Sequence, residues 1–157
     1  MKKTVAFLAC GLLFSSVALA DINVGITIST TGPAASLGIP ERNTVQLLPK
    51  EIGGEKVNYI VLDDATDTTA AARNARKFVN ENKVDVIIGS TAVPPSAAVA
   101  PIAVESKTPQ IALAPFAATG DAFHWVFTVP QTNSLMAGAL IEHMKKNGVK
   151  KLGYIGF

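Results

Sequence analysis

The hydrophobic positions of this chain form short runs rich in β-branched residues, separated by longer amphipathic stretches. Such runs, bounded by Gly, Pro, Asn or Asp, are typical of β-strands. One of them, Val84–Gly89, is apolar enough to be buried on both faces of a parallel sheet. The predicted strands are Ile22–Ile28, Val57–Leu62, Val84–Gly89, Gln110–Ala114, His124–Val129 and Lys150–Phe157.

The stretches between the strands carry apolar residues three or four positions apart, which predicts helices. These helices cover Pro40–Leu48, Thr66 or Asp67 to Asn82, Pro95–Ser106 and Ser134–Asn147. The sides expected to face the core are Ala71, Ala75, Phe78 and Asn82 in the second helix, and Met136, Leu140 and Met144 in the fourth. Strands that alternate with helices predict an α/β fold with a doubly wound parallel sheet.

The first twenty residues have the plan of a secretory signal peptide. Lys2 and Lys3 precede the apolar stretch Val5–Val17, and Ala18-Leu19-Ala20 places small residues where a signal peptidase cuts. A transmembrane helix is the alternative, but the apolar stretch is shorter than the roughly 20 residues that cross a bilayer. We therefore expect cleavage after Ala20 and a protein exported to the periplasm.

Composition and charge exclude several classes of protein. The 157 residues are 48% hydrophobic and 17% charged, which excludes intrinsic disorder. Cleavage of the signal peptide would remove two of the 14 basic residues and leave 12, against 12 acidic residues. A neutral mature chain has no basic footprint for nucleic acid. The single cysteine, Cys10, lies in the signal peptide, so no intramolecular disulfide is expected.

The candidate binding residues lie in the loops that follow the strands, where ligands bind in open parallel sheets. These loops are Ser29–Gly38, Asp63–Asp67, Gly89–Ser96 and Pro115–Thr119, and they are rich in small and hydroxyl residues. Hydroxyls and backbone N–H groups at a helix start suit an anion, so Ser90, Thr91 and Ser96 are candidate carboxylate ligands. The alternative for Ser96 is that it only caps its own helix.

The remaining polar residues do not form a catalytic pattern. Asp63, Asp64 and Asp67 could hold a metal or accept a phosphate, but a solvent-exposed, helix-capping cluster is favoured. His124 and His143 lie far apart in the sequence and have no matching nucleophile, and no glycine-rich phosphate-binding motif occurs. The sequence therefore predicts a binding protein without a cofactor or metal rather than an enzyme.

Four segments in this order carry a family resemblance: VGITISTTGPAASLG, VLDDATDTTAAARNARKFV, VDVIIGSTAVPPSAAVAPIAVESKTPQIALAPFAA and VFTVPQTN. From Ile22 to Phe157 the chain resembles the leucine/isoleucine/valine-type substrate-binding proteins of ABC transporters. The resemblance implies two α/β lobes that trap a ligand between them. It divides the chain into the signal peptide 1–20, an incomplete first lobe 21–128, and a hinge crossover with the start of the second lobe 129–157. No covering element follows the last predicted strand, which favours a truncated form.

The resemblance also implies the ligand site and the partners. The expected ligand-binding residues are Leu37, Ser90, Thr91, Ala92, Ser96, Phe116, Ala117, Ala118 and Thr119. Relatives often carry hydroxyl residues in place of Ala92 and Val93 and a small residue in place of Phe116, which leaves room for a bulkier or aromatic carboxylate. The expected ligand is a branched-chain amino acid or a similar small apolar carboxylate. The expected partner is a membrane permease, with a sensory receptor as the alternative, and a full-length protein is expected to be a monomer.

Overall fold

The computed structural model describes residues 21–153. The predicted signal peptide with its cleavage site, and the last four residues of the predicted final strand, lie outside the described residues. Within the described chain the strands are β1 Ile22–Ile28, β2 Glu51–Ile52, β3 Glu55–Asp63, β4 Val86–Ile88, β5 Gln110–Ala112 and β6 Val126–Thr128. The α-helices are α1 Ala35–Val45, α2 Thr68–Lys77, α3 Val93–Ser106 and α4 Asn133–Lys146.

The strands form one sheet in the order β2-β3-β1-β4-β5-β6. Every neighbouring pair is parallel except β2 and β3, which are antiparallel. The order reverses at β1, so the sheet is doubly wound, and the predicted α/β fold is confirmed. The carboxyl ends of β3, β1, β4 and β5 therefore lie along one edge of the sheet.

Helices cover the sheet on both faces and create two apolar layers. On one face, α2 and α3 pack over Ile87, with the fully buried Phe78 in the centre of the layer. On the other face, Val24, Ile26 and Ile28 of β1 form a layer that Val45 of α1 joins. The alternation along β1 sends successive side chains to opposite faces, as the period of a strand requires.

Several predicted boundaries were confirmed and others were wrong. The strand Ile22–Ile28 was predicted as it occurs, and Asp67 caps α2 by accepting the Ala70 N–H at 2.7 Å. The first helix begins at Ala35 rather than at Pro40, which lies inside it. An early start is possible because Gly38 has no Cβ; one placed there would lie 2.0 Å from the Ser29 carbonyl oxygen.

Three further features differ from the prediction. The Gly53-Gly54 turn joins β3 to a short added strand, β2, and both glycines have positive φ values of 64° and 88°, which suits a two-residue hairpin. The predicted second helix ends at Lys77 and continues as a π-helical turn over Phe78–Asn82. The extended piece predicted from His124 is shorter, because a 3₁₀ turn occupies Gly120–His124.

The carboxyl-terminal part of the described chain departs most from the prediction. The helix α4 forms close to its predicted bounds, but none of its residues is buried. The predicted inward packing is wrong for Met136 and Leu140, which are exposed, while Met144 is half-buried. Residues 150–153 have no regular structure, where a strand was predicted. Among the described residues, no helix combines the length and the apolar character needed to span a membrane.

Candidate functional site

A fully buried carboxylate, Asp64, lies where three strand ends meet. Its Oδ1 accepts the Ser29 hydroxyl at 2.7 Å and the Thr66 N–H at 3.0 Å. Its Oδ2 accepts the Thr27 hydroxyl at 2.9 Å and the Ser90 hydroxyl at 2.6 Å. The expectation of a solvent-exposed acidic cluster is therefore wrong for Asp64, although it describes Asp67. The side chain of Asp64 is enclosed because hydroxyls from neighbouring strands replace water around it.

Asp63, the residue before Asp64, stabilises the loop that follows β1 through hydrogen bonds. Its carboxylate accepts the Thr30 N–H at 2.8 Å, the Thr31 hydroxyl at 2.6 Å and the Ala65 N–H at 2.9 Å. Partial desolvation would raise the pKa of Asp63, but these hydrogen bonds outweigh it and hold the pKa below its ordinary value of 3.8. The side chain remains exposed, so it ties the loop together at the surface.

The loop after β4 is fixed by contacts on both of its sides. Gly89 has a φ of +114°, and a Cβ there would lie 1.9 Å from the Thr27 carbonyl oxygen, so only glycine allows this approach to β1. The Ser96 hydroxyl donates to the Ser90 carbonyl at 2.8 Å. The Gln110 side chain donates to the carbonyls of Gly89 and Ser96, each at 2.9 Å.

Thr91 connects this loop to α1. Its hydroxyl accepts the Ser29 N–H at 2.9 Å and donates to the Glu41 carboxylate at 2.5 Å. Burial raises the pKa of Glu41 above its ordinary value of 4.5, and the nearby charge of Asp64 raises it further, while the Thr91 hydrogen bond lowers it in part. The Thr91 proton is therefore already directed to a protein acceptor.

The loop Phe116–Thr119 packs beside α3. Phe116 and Ala118 contact a small apolar cluster that includes Ala100 and Val126. The loop lines a cavity of about 450 Å³ along α3. Its beginning also lines a cavity of about 320 Å³ at the start of α4, together with Thr132 and Asn133. This loop is thus placed between the sheet and the carboxyl-terminal helix.

The predicted site residues fall into three groups. Ser90, Thr91 and Ser96 belong to one hydrogen-bonded network, and Ala92 precedes α3 as its N-cap. The residues of Phe116–Thr119 line the two cavities just described, and neither of those cavities includes a residue of Gly89–Ser96. Leu37 lies on α1 with 60% of its surface exposed. The two loops leave the same edge of the sheet, since β4 and β5 are parallel neighbours.

The arrangement offers backbone donors rather than free acids or bases. The hydroxyl protons of Ser90, Thr91 and Ser96 all go to protein acceptors, so these hydroxyls hold the loop in place. At the start of α3, Ala92 and Val93 supply N–H groups, whereas the next two residues are prolines and supply none. In the described part of the chain, no three His, Cys, Asp or Glu side chains are grouped as a metal site would require.

Sequence reasoning missed three residues of this network. Asp64 was treated as exposed, and Glu41 and Gln110 were given no role. A carboxylate directly after a strand was a visible signal for Asp64, but its enclosure depends on Thr27, Ser29 and Ser90 from other strands. Glu41 and Gln110 carried no local signal, because their partners are 50 and 14 to 21 positions away in the sequence.

Three relatives show what the chain is similar to. An extracellular ligand-binding receptor from Rhodopseudomonas palustris HaA2 is 53% identical, with a TM-score of 0.85, over 88% of this chain and 39% of that protein. A solute-binding protein of an ABC transporter from Rhodopseudomonas palustris BisB5, in complex with 3,4-dihydroxybenzoic acid, is 27% identical, with a TM-score of 0.77, over 83% of this chain and 37% of that protein. A Leu/Ile/Val-binding protein, BraC3, from Rhizobium johnstonii is 32% identical over 69% of this chain and 32% of its own length.

The chain thus spans between about a third and two fifths of the length of these relatives. A family model described as periplasmic binding protein matches residues 21–157, which is the whole of the chain after the predicted signal peptide. The sheet and helices of this chain superpose on those of the two-lobed periplasmic binding proteins over most of the described residues. The chain belongs to the periplasmic binding protein family.

Proposed function

We propose that this chain is part of the extracytoplasmic substrate-binding component of an ABC transporter and binds a small, mostly apolar carboxylate. The observation that carries the proposal is the loop Gly89–Ser96, which Asp64 and Gln110 fix at the carboxyl edge of the sheet. A rigid loop that leads into a 14-residue helix directs N–H groups and the positive end of the helix dipole outward. That environment favours an anion.

The ligand carboxylate is proposed to meet the N–H groups of Ala92 and Val93 together with the Phe116–Thr119 loop. The Thr119 side chain is exposed and offers a hydroxyl, while Leu37 and Phe116 offer apolar surface. Ser90, Thr91 and Ser96 support this site from behind. No basic residue is needed, because hydrogen bonds from backbone N–H groups can stabilise a carboxylate.

Two ligand classes are proposed for this site. A branched-chain amino acid is supported by the similarity to the Rhizobium johnstonii Leu/Ile/Val-binding protein. An aromatic carboxylate is supported by Phe116 and by the similarity to the Rhodopseudomonas palustris protein whose structure contains 3,4-dihydroxybenzoic acid. The branched-chain class is the first candidate, and the aromatic class is the second.

The proposed location is the periplasm, and the proposed partner is a membrane permease. The location rests on the signal-peptide pattern of residues 1–20 and on the family. A second candidate, a periplasmic domain that presents its ligand to a sensory receptor, is favoured by the receptor description of the 53% identical relative. Both functions use the same ligand site.

Calorimetry on the full product of the gene tests the proposal. The exported protein, identified by mass spectrometry as beginning at Asp21, is titrated with leucine and with 3,4-dihydroxybenzoic acid. One hydrogen bond to a charged group contributes about 1.5–3 kcal/mol, so Thr119→Val is expected to weaken binding by about ten- to a hundredfold. The control is Thr69→Val, which changes an exposed threonine on α2.

Three results would contradict the proposal. Failure of both ligand classes to bind in the micromolar range would remove the ligand assignment. Equal affinity of Thr119→Val and the parent would remove the Phe116–Thr119 loop from the site. An exported product that still begins with Lys2 and Lys3 near its amino terminus would contradict the periplasmic location.

A further inference from the structure

The buried carboxylate of Asp64 is stabilised without a cation. Its side chain is fully buried, and the ion pair between Lys56 and Asp21 lies at the surface, away from it. Burial of an ionised carboxylate is unfavourable unless hydrogen bonds replace its hydration. Four protein donors do so here, two on each carboxylate oxygen. Asp64 is therefore held in a single orientation.

These four donors come from three different parts of the sheet edge. Thr27 and Ser29 lie at the end of β1, Thr66 lies in the loop after β3, and Ser90 lies in the loop after β4. In the sheet these strands are neighbours in the order β3-β1-β4. One carboxylate thus connects the loops of three adjacent strands.

The hydrogen-bond network that includes Asp64 and Ser90 extends to the start of α3. The Ser90 carbonyl accepts the Ser96 hydroxyl, and Gln110 donates to the carbonyls of Gly89 and Ser96. The loop therefore has Asp64 on one side and Gln110 on the other. These hydrogen bonds restrict the conformation of the loop, so the direction of the Ala92 and Val93 N–H groups depends on the side chains of Asp64 and Gln110.

We propose that Asp64 is a positioning residue for the ligand site, which acts through its hydrogen bond with Ser90. This inference rests on the function proposed above. Asp64 does not touch the ligand; it orients the loop whose N–H groups bind the ligand carboxylate. A loop held in its binding geometry before the ligand arrives loses less conformational freedom on binding, and the affinity is higher.

Two matched variants separate positioning from stability. Ser90→Ala and Thr27→Val each remove one hydroxyl donor from the same oxygen, Oδ2 of Asp64, but only Ser90 belongs to the ligand loop. Both are expected to lower the midpoint of chemical unfolding to a similar extent. Ser90→Ala is expected to weaken the binding of the preferred ligand about tenfold, and Thr27→Val by less than about twofold. Calorimetry on the full gene product measures both affinities.

A double-mutant cycle then tests whether Asp64 acts through Ser90. Asp64→Asn keeps the shape of the side chain but exchanges an acceptor for an NH₂ group, which cannot receive a hydroxyl proton. We expect Asp64→Asn to weaken binding at least about tenfold, and the double variant Asp64→Asn/Ser90→Ala to bind no more weakly than Asp64→Asn alone. If Asp64→Asn does not fold, the Ser90→Ala and Thr27→Val pair decides.

The outcomes are distinct. Equal effects of Ser90→Ala and Thr27→Val on affinity, or effects on unfolding alone, overturn the positioning role while ligand binding by the parent upholds the proposed function. Additive losses in the double variant overturn the route through Ser90. A parent protein that binds neither leucine nor 3,4-dihydroxybenzoic acid overturns the proposed function, and the positioning role falls with it.

Discussion

Helices α2 and α4 were both predicted to turn an apolar side toward the core, and the structure gives them opposite surroundings. In α2 and the π-helical turn that follows it, Ala71, Ala75 and Phe78 are fully buried against α3 and the sheet. In α4, which is longer, Leu135 is 63% and Leu140 is 56% exposed, and no residue is buried. Both helices also have a side chain that caps their first turn.

This difference teaches that an amphipathic pattern reports an ability to be buried and not the burial itself. A helix gains most of its stability in a protein from packing of its apolar face. The face of α2 meets an adjacent helix and sheet, whereas none of the residues of α4 is buried in the described part of the chain. Two predictions test the comparison directly and a third concerns pH, in order from the largest expected effect to the smallest.

The largest difference is expected from truncation of one apolar side chain on each helical segment. Phe78→Ala should lower the free energy of unfolding by about 3–5 kcal/mol, because it removes a buried aromatic ring and leaves a cavity. Leu140→Ala should change it by less than about 0.5 kcal/mol, because the side chain is already exposed. Urea denaturation followed by circular dichroism measures both, and a loss from Leu140→Ala as large as that from Phe78→Ala would refute the comparison.

A smaller difference is expected from removal of the two helix caps. Asp67 accepts the Ala70 N–H at 2.7 Å and Thr132 accepts the Leu135 N–H at 3.3 Å. Asp67→Ala should cost about 1 kcal/mol of global stability, as loss of an N-cap commonly does. Thr132→Ala should have little effect on global unfolding and should increase amide hydrogen exchange only at the start of α4. Equal global losses would mean that α4 unfolds together with the sheet.

The smallest effect concerns pH within the packed region, where Glu41 and Asp63 have shifts of opposite sign. The raised pKa of Glu41 means that its stabilisation is fully present below 4.5 and is lost as the pH rises through its folded-state pKa. The lowered pKa of Asp63 means that its stabilisation is present above 3.8 and is lost as the pH falls through its folded-state pKa.

Substitution of each carboxylate by its amide measures these signs. From pH 4 to pH 7, Glu41→Gln should become more stable relative to the parent, while Asp63→Asn should be less stable than the parent at pH 7 and approach it below pH 3.8. Each difference should stay below about 1 kcal/mol, because both side chains contact solvent. Parallel stability curves for parent and variants from pH 7 to well below pH 3.8 would show that neither shift contributes to stability.

Local sequence patterns predicted much of the fold. Three features that depend on neighbours in the sequence were predicted correctly. They are the β-branched strand β1, the buried strand β4, and the N-cap and apolar side of α2. The errors arose where distant contacts prevailed. We predicted that α1 begins at Pro40, because proline suits the first turn of a helix. The helix begins five residues earlier, at Ala35, and Gly38 in its first turn packs against the Ser29 carbonyl.

The candidate site was predicted only in part, because its chemistry depends on hydrogen bonds between strands. The sequence indicated which loops follow the strands, and therefore where Ser90, Thr91 and Ser96 lie. It could not indicate that these hydroxyls donate to Asp64, Glu41 and a carbonyl, because the partners of Ser90 and Thr91 are 26 and 50 positions away. The hydroxyl positions were predictable, and the direction of their protons was not.

The sequence by itself determined the alternation of strands and helices and the loop compositions, because periodicity and turn residues act over a few positions. The family was indicated by the resemblance of four sequence segments and not by this periodicity. Only the tertiary structure decided which polar groups are enclosed and which apolar faces have partners. Asp64 and Asp67 are both acidic residues after β3, yet one is fully buried and the other is an exposed cap. The physical reason is that burial depends on what the neighbouring strands and helices place around a side chain, and that placement follows from the order of the strands in the sheet.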